Sequence, residues 1–199
     1  MSARRASASG AKLKSYKLSS SSSSAAALVR TATGHAFGTD LPTAVGGRDT
    51  APQPVELLLG ALLGCKSATA HFVARHLWAR PHNRILRLDF SDVVAQRDER
   101  GALAMPIRDV PPCTAALLRV EGVATVTAAS SIITAADVEA LGALVSKRCP
   151  VAATLHAAGC EVRISWLLAP PLPQAGRLGH RAQVDRDCAP RRDSRWCSR

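Results

Sequence analysis

Aromatic side chains make up only 4% of this 199-residue chain: three Phe, three Trp and one Tyr. A single-strand nucleic-acid surface needs stacking rings beside basic residues, and so sparse and scattered a set argues against that class. Acids are missing from residues 1–39, which hold six Lys/Arg, and scarce in 169–199, where seven Arg face three Asp. Between them, residues 40–168 carry 13 basic and 12 acidic side chains, so nearly all of the net charge of +11 belongs to the two ends. Basic ends serve solubility, loose nucleic-acid contact or targeting. No uninterrupted apolar run reaches the ~18 residues that cross a bilayer; Leu57–Leu63 is short and follows Glu56, so no membrane partner is expected. An N-terminal apolar segment of the secretory kind is absent, and the six Cys have irregular spacing. Both features point to an intracellular, reducing setting rather than a secreted disulfide framework. No C-x-x-C, H-x-x-x-H, H-E-x-x-H, G-x-S-x-G, G-x-G-x-x-G or P-loop spacing occurs, so neither a metal nor another cofactor is expected. His71 and His76, five apart, fall on different helix faces.

The first 25 residues are basic, Ser-rich and acid-free. That composition suits an organelle transit segment, which would make the compartment mitochondrial or plastid rather than cytoplasmic. It equally suits a strand at Lys14–Leu18 followed by a loose serine hairpin. Residues 1–11 read as a flexible basic arm, 12–168 as the folded domain, and 169–199, rich in Pro, Arg and Gly without periodicity, as a disordered basic tail.

Within the domain, an apolar fraction of 47% with few rings predicts a core of Ala, Leu and Val. A strand is predicted near 27–37. A long irregular connection follows, marked by Asp40-Leu41-Pro42, Gly46-Gly47, Pro52 and Pro54. Residues 54–78 read as a helix apolar nearly all round, and hence covered on all sides by other elements or by a second subunit. Ile85–Phe90 alternates as a half-buried strand, with Val93–Arg97 as a kinked continuation and Asp98–Gly101 as a turn. Residues 116–127 read as two strand pieces or one bulged strand. Thr134 is the expected N-cap of a helix over Ala135–Lys147, with Asp137 in its first turn. A second helix starts at Pro150, with Cys149 as its N-cap, and ends at Gly159. A strand over Cys160–Leu168 closes the domain.

Cysteine carries the chemistry. Cys149, at a helix N-terminus beside Lys147 and Arg148, is predicted to be a stabilised thiolate. Cys65, inside the apolar helix, reads on its own as a core thiol. Lys66 follows it, but successive helical positions diverge by about 100° and need not meet. Thr69, Phe72 and His76 share the Cys65 face. Cys113 and Cys160 read as non-functional, and Cys188 and Cys197 as incidental to the tail.

The pattern Asp40-Leu41-Pro42, Gly46-Gly47, Thr50-Ala51-Pro52, Pro54, Glu56-Leu57-Leu58-Leu59, then Cys65 and later Arg148-Cys149-Pro150-Val151, resembles the OsmC-like family of osmotically induced and organic hydroperoxide resistance proteins. The resemblance covers roughly residues 12–168. It implies an α+β fold with long central helices packed against β-sheets in an intertwined homodimer. It also implies a thiol-dependent peroxidase in which Cys65 attacks an organic hydroperoxide, Cys149 resolves the product as a disulfide, and a dithiol reduces it. Two departures stand out. The family's activating arginine has no counterpart at Thr33-Gly34-His35-Ala36. Its glutamate position is Val55, with Glu56 offset by one. The alternative is therefore a dimer that is not a peroxidase and binds a small apolar or electrophilic ligand in the same place.

Overall fold

The computed structural model describes residues 12–170. The predicted basic arm (1–11) and nearly all of the predicted basic tail lie outside those residues. The fold is α+β. Three strands, β1 (Leu18–Ser22), β2 (Ala27–Thr31) and β3 (Ala36–Thr39), form an antiparallel sheet in sequence order. The single strand expected near 27–37 is thus two, because Gly34 (φ 92°) turns the chain between them. The serine run forms β1 itself, paired from Leu18–Thr31 to Ser22–Ala27, rather than a loose hairpin.

The second sheet orders β4 (Ile85–Arg97), β5 (Leu117–Ala128) and β6 (Glu161–Leu168) side by side. β4 runs antiparallel to β5, with register shifts between Ser91 and Val94, so Val93–Arg97 does continue the strand past a bulge. β5 is one strand rather than two. β5 and β6 are parallel, which demands a crossover. That crossover is α3 (Ala135–Arg148) and α4 (Pro150–Ala157). The Asp98–Gly101 turn leads into a short helix, α2 (Arg100–Leu103).

Helix α1 (Pro54–Leu77) lies against α3, α4 and β4. Its start is fixed by Pro54 in the first turn and by Glu56, whose carboxylate accepts the Gln53 backbone N–H at 2.8 Å. Its buried residues Leu62, Lys66, Ala70, Val73 and Ala74 make one stripe, as helical spacing requires. Leu58, Phe72 and Leu77 remain exposed in the single chain. The expectation of burial on every side therefore fails within one chain. By length and composition α1 would suffice to cross a bilayer, which the search for an uninterrupted apolar run misses. Here it serves as the spine of a packed domain. One core cluster joins its C-terminal half to β4, β5, β6 and α3. A second joins Leu62 to Val120, Cys149, Ala152, Leu155 and Cys160. In the first, Trp166 stands edge-on to Phe90 at 6.2 Å. It packs so closely on α3 that a Cβ at Gly142 would fall 2.4 Å from the indole Cδ1.

The connection before α1 is wound around one carboxylate. Asp40, 1% exposed, accepts the backbone N–H groups of Leu41 (2.8 Å), Arg48 (3.3 Å) and Thr50 (3.2 Å), and the Thr50 hydroxyl (2.7 Å). Gly47 closes the loop, since a Cβ there would sit 1.7 Å from the Leu41 carbonyl oxygen. The Thr50 hydroxyl bond, followed by the backbone donors, lowers the Asp40 pKa to about 2.

A carboxylate whose folded pKa lies below its unfolded value stabilises the fold above the unfolded pKa, about 4, and loses that contribution as pH falls toward the folded one. Asp40→Asn is therefore expected to melt below the wild type at neutral pH. The gap between the two melting temperatures should narrow between about pH 4 and pH 2. Thermal melts followed by circular dichroism across that range check it.

Candidate functional site

The N-terminus of α4 is built by Pro150. A residue that precedes proline is pushed out of the helical region, and Cys149 accordingly adopts φ −80°, ψ 113°. It ends α3, donating its N–H to the Val145 carbonyl at 2.9 Å. It also caps α4, its Sγ accepting the Ala152 N–H at 3.5 Å. Helix α3, which delivers it, begins with a reciprocal cap. The Thr134 hydroxyl accepts the Asp137 N–H at 3.2 Å, and the Asp137 carboxylate accepts the Thr134 N–H at 2.8 Å.

Cys149 is fully buried, whereas Cys65 is half-buried on α1. Both belong to or pack on the same apolar cluster, and both thiols are free. Cys65 lies close enough to Cys149 to push the Cys149 thiol up. Two sulfurs separated by 84 residues in sequence thus meet at the junction of α1, α3 and α4.

The expected depression of the Cys149 thiol is not found. Burial pushes it up first, and the neighbouring Cys65 adds to that; the Ala152 N–H and Lys66 pull the other way. Lys147 and Arg148, the cations that sequence adjacency nominated, are exposed. The cation that does reach the sulfur is Lys66. It sits on the buried stripe of α1 at 0% exposure and donates from Nζ to the Ser146 Oγ of α3 at 3.3 Å. Burial lowers its pKa, while Cys149 and then Cys65 raise it. The expectation that Lys66 need not meet the thiols held for Cβ directions only. A four-carbon stem can bend back along the helix. A signal was available: Leu62, Lys66, Ala70, Val73 and Ala74 keep helical spacing, so Lys66 shares the face of the smallest side chains.

The other candidates lie apart. His76 stacks on Phe72, with ring centroids 4.7 Å apart. Glu56 is used by the helix cap. Cys160 is buried, and burial raises its pKa. Cys113 neighbours Asp98 and Arg100; burial and then Asp98 push it up. One turn of α1 beyond Cys65, Ala68, Thr69 and Phe72 line an open hollow of about 370 Å³ together with Arg148.

A buried cation is a poor source of stability. Replacing buried charge by an apolar side chain of similar shape often gains about 1–4 kcal/mol. Without Lys66 the two thiols can stay protonated, leaving no orphan charge. Lys66→Met is therefore expected to raise the unfolding free energy by about 1 kcal/mol or more, measured as a higher urea midpoint on the reduced protein.

The OsmC family, described as OsmC-like protein, matches residues 47–165. No curated protein sequence matches the chain. Among solved structures, an OsmC-like protein from Mycoplasma pneumoniae superposes with a TM-score of 0.61 at 17% identity, covering 79% of this chain and 99% of that one. An organic hydroperoxide resistance protein OsmC from Legionella pneumophila gives 0.55 at 14% identity, covering 80% and 100%. An OsmC-like protein of unknown function from Vibrio cholerae gives 0.60 at 11% identity, covering 79% and 100%. At such identities structural likeness speaks for the fold, and the family match spans more than half of the sequence. The chain belongs to the OsmC-like protein family.

Proposed function

We propose that this protein reduces organic hydroperoxides through Cys65 and Cys149. The observation that carries the reading is the unequal exposure of two neighbouring free thiols: Cys65 is half-buried, one turn of α1 from the Thr69 that lines an open hollow, and Cys149 is fully buried. The accessible sulfur suits attack on a substrate. The hidden one suits resolution, because it is shielded from solution oxidants yet next to its partner. In the first step the Cys65 thiolate attacks the terminal oxygen of ROOH. An S–O bond forms, the O–O bond breaks, and RO⁻ leaves and takes a proton. Sulfur is oxidised by two electrons to the sulfenic acid. In the second step the Cys149 thiolate attacks that sulfur, forming the disulfide as hydroxide leaves and is protonated to water. An external dithiol then donates two electrons and two protons and restores both thiols. Supply of such a dithiol fits a reducing intracellular compartment. Phe72 and Thr69, in the hollow one turn beyond Cys65, suit the organic part of a hydroperoxide better than a bare peroxide.

A homodimer belongs to the same reading. Leu28 and Phe37 on the first sheet, and Leu58, Phe72 and Leu77 on α1, are exposed in the single chain. Strands β1–β3 pack chiefly on one another. Apolar surface spread over a helix and a sheet in this way is normally covered by a partner.

The missing arginine and the employment of Glu56 in a helix cap favour a second reading, a dimer of the same fold that binds a small apolar or electrophilic ligand without turnover. The thiols decide between the two. One equivalent of an organic hydroperoxide should convert Cys65 and Cys149 to a disulfide located by mass spectrometry, and Cys65→Ser should reduce dithiol-dependent consumption to the uncatalysed rate. Unchanged turnover in that variant, or a disulfide formed elsewhere, removes the peroxidase. For the dimer, light scattering should give about twice the 20.9 kDa chain mass, and a single-chain mass at micromolar concentration refutes it.

A further inference from the structure

We infer that Lys66 is the counter-charge of the two cysteines, holding one thiolate between them until the disulfide closes. The inference rests on the proposed thiol chemistry for its catalytic meaning, but its basis is charge balance. The ammonium has no exposure to solvent. Its hydrogen-bond partner is a neutral hydroxyl, Ser146 Oγ. Among the described residues, no carboxylate forms an ion pair with it. An ammonium taken out of water without an opposite charge is strongly unfavourable, so it must either lose its proton or stand beside an anion. The groups facing it are Cys65 on its own helix, Ser146 on α3 and Cys149 at the α3–α4 junction. Cys160 lies in the same apolar cluster, beyond them. Only the thiols can supply the anion, and they act on Lys66 in that sense, opposing the effect of burial.

The neutral arrangement of the three groups is one ammonium, one thiolate and one thiol. With Cys65 as thiolate, attack on ROOH yields the sulfenic acid and RO⁻. RO⁻ takes the Cys149 proton and leaves as ROH. The negative charge is now on Cys149, still beside Lys66. When Cys149 closes the disulfide, hydroxide departs and takes a proton from Lys66, leaving water and a neutral amine. Reduction by a dithiol returns two protons, one to a thiol and one to Lys66. A single cation thereby serves both sulfurs in turn, and no arginine is required. Ser146 also lines a hollow of about 470 Å³ formed by residues of α3 and β6. Its hydroxyl therefore joins the buried amine to a surface from which a proton can be replaced.

The test is the pH dependence of alkylation, resolved by cysteine with mass spectrometry, on the reduced full-length protein. Wild type is compared with Lys66→Met, Lys66→Gln and Lys66→Arg. The apolar and amide variants should lose at least tenfold of the thiolate at pH 7, moving the alkylation midpoint of the pair up by a unit or more. Arginine should restore most of it, which a merely space-filling role would not do. Superimposable profiles for wild type, methionine and glutamine variants overturn the inference. Hydroperoxide turnover, measured alongside, separates the two readings. A midpoint that moves on substitution of Lys66, with no hydroperoxide turnover by the wild type, leaves Lys66 its role and removes the peroxidase. Turnover with an unmoved midpoint does the reverse.

Discussion

The Lys66 amino group, shut away from water, donates to the Ser146 hydroxyl and acts on two cysteines where α1, α3 and α4 converge. Every other feature of the site is arranged around that charge. On the buried stripe of α1 it falls between Leu62, which belongs to one core cluster, and Ala70, which belongs to the other. The hydrogen bond to Ser146 ties α1 to the same helix that ends at Cys149. A buried charge of this kind weakens the fold relative to an apolar substitute. Keeping it makes physical sense where its electrostatic effect is used, because a cation in low-dielectric surroundings acts far more strongly on a neighbouring thiol than the exposed Lys147 and Arg148 can.

The rest of the chain fixes where that charge and the sulfurs lie. Asp40 gathers four donors and winds the 40–50 loop, so the chain arrives at Pro54 already oriented. Glu56 then closes the first turn of α1, and the register of the helix sets Cys65 on its flank and Lys66 on its stripe. On the other side, Thr134 and Asp137 start α3. After the helix's fourteen residues Pro150 breaks it at Cys149. Both thiols are thus delivered by helix-terminus chemistry, and the crossover that brings β6 parallel to β5 holds the second terminus against the first helix.

Much of this could be read from the sequence, and the parts that could not share a cause. Caps and proline effects are local. Thr134, Asp137, Cys149 and Pro150 therefore predicted α3, α4 and their junction almost to the residue. The motif around Asp40 pointed to the family before its carboxylate was seen to organise the loop. Sheet pairing is not local, and the serine run shows it. Its composition suggested a loose hairpin or a transit segment, yet it pairs with β2 as a strand. Cysteine electrostatics misled for the same reason. Adjacency nominated Lys147 and Arg148, whereas the relevant cation comes from 80 residues upstream of Ser146, across a tertiary contact. The all-round apolar character of α1 predicts cover by other elements or by a second subunit, and a single chain covers only one face.

That uncovered face bears on the chemistry as well as on assembly. Phe72 is exposed and shares with Thr69, Ala68 and Arg148 the hollow one turn of α1 beyond Cys65. If a second copy covers α1, as the dimer proposal holds, it also roofs this hollow. Closing the roof would exclude water, lower the dielectric around Cys65 and strengthen the attraction between Lys66 and whichever sulfur is charged. The proposed reaction would then depend on assembly even though both sulfurs and their cation belong to one chain. A dissociated subunit would keep its thiol pair and its lysine but present them to solvent, where the same charges are screened and their influence on reactivity declines.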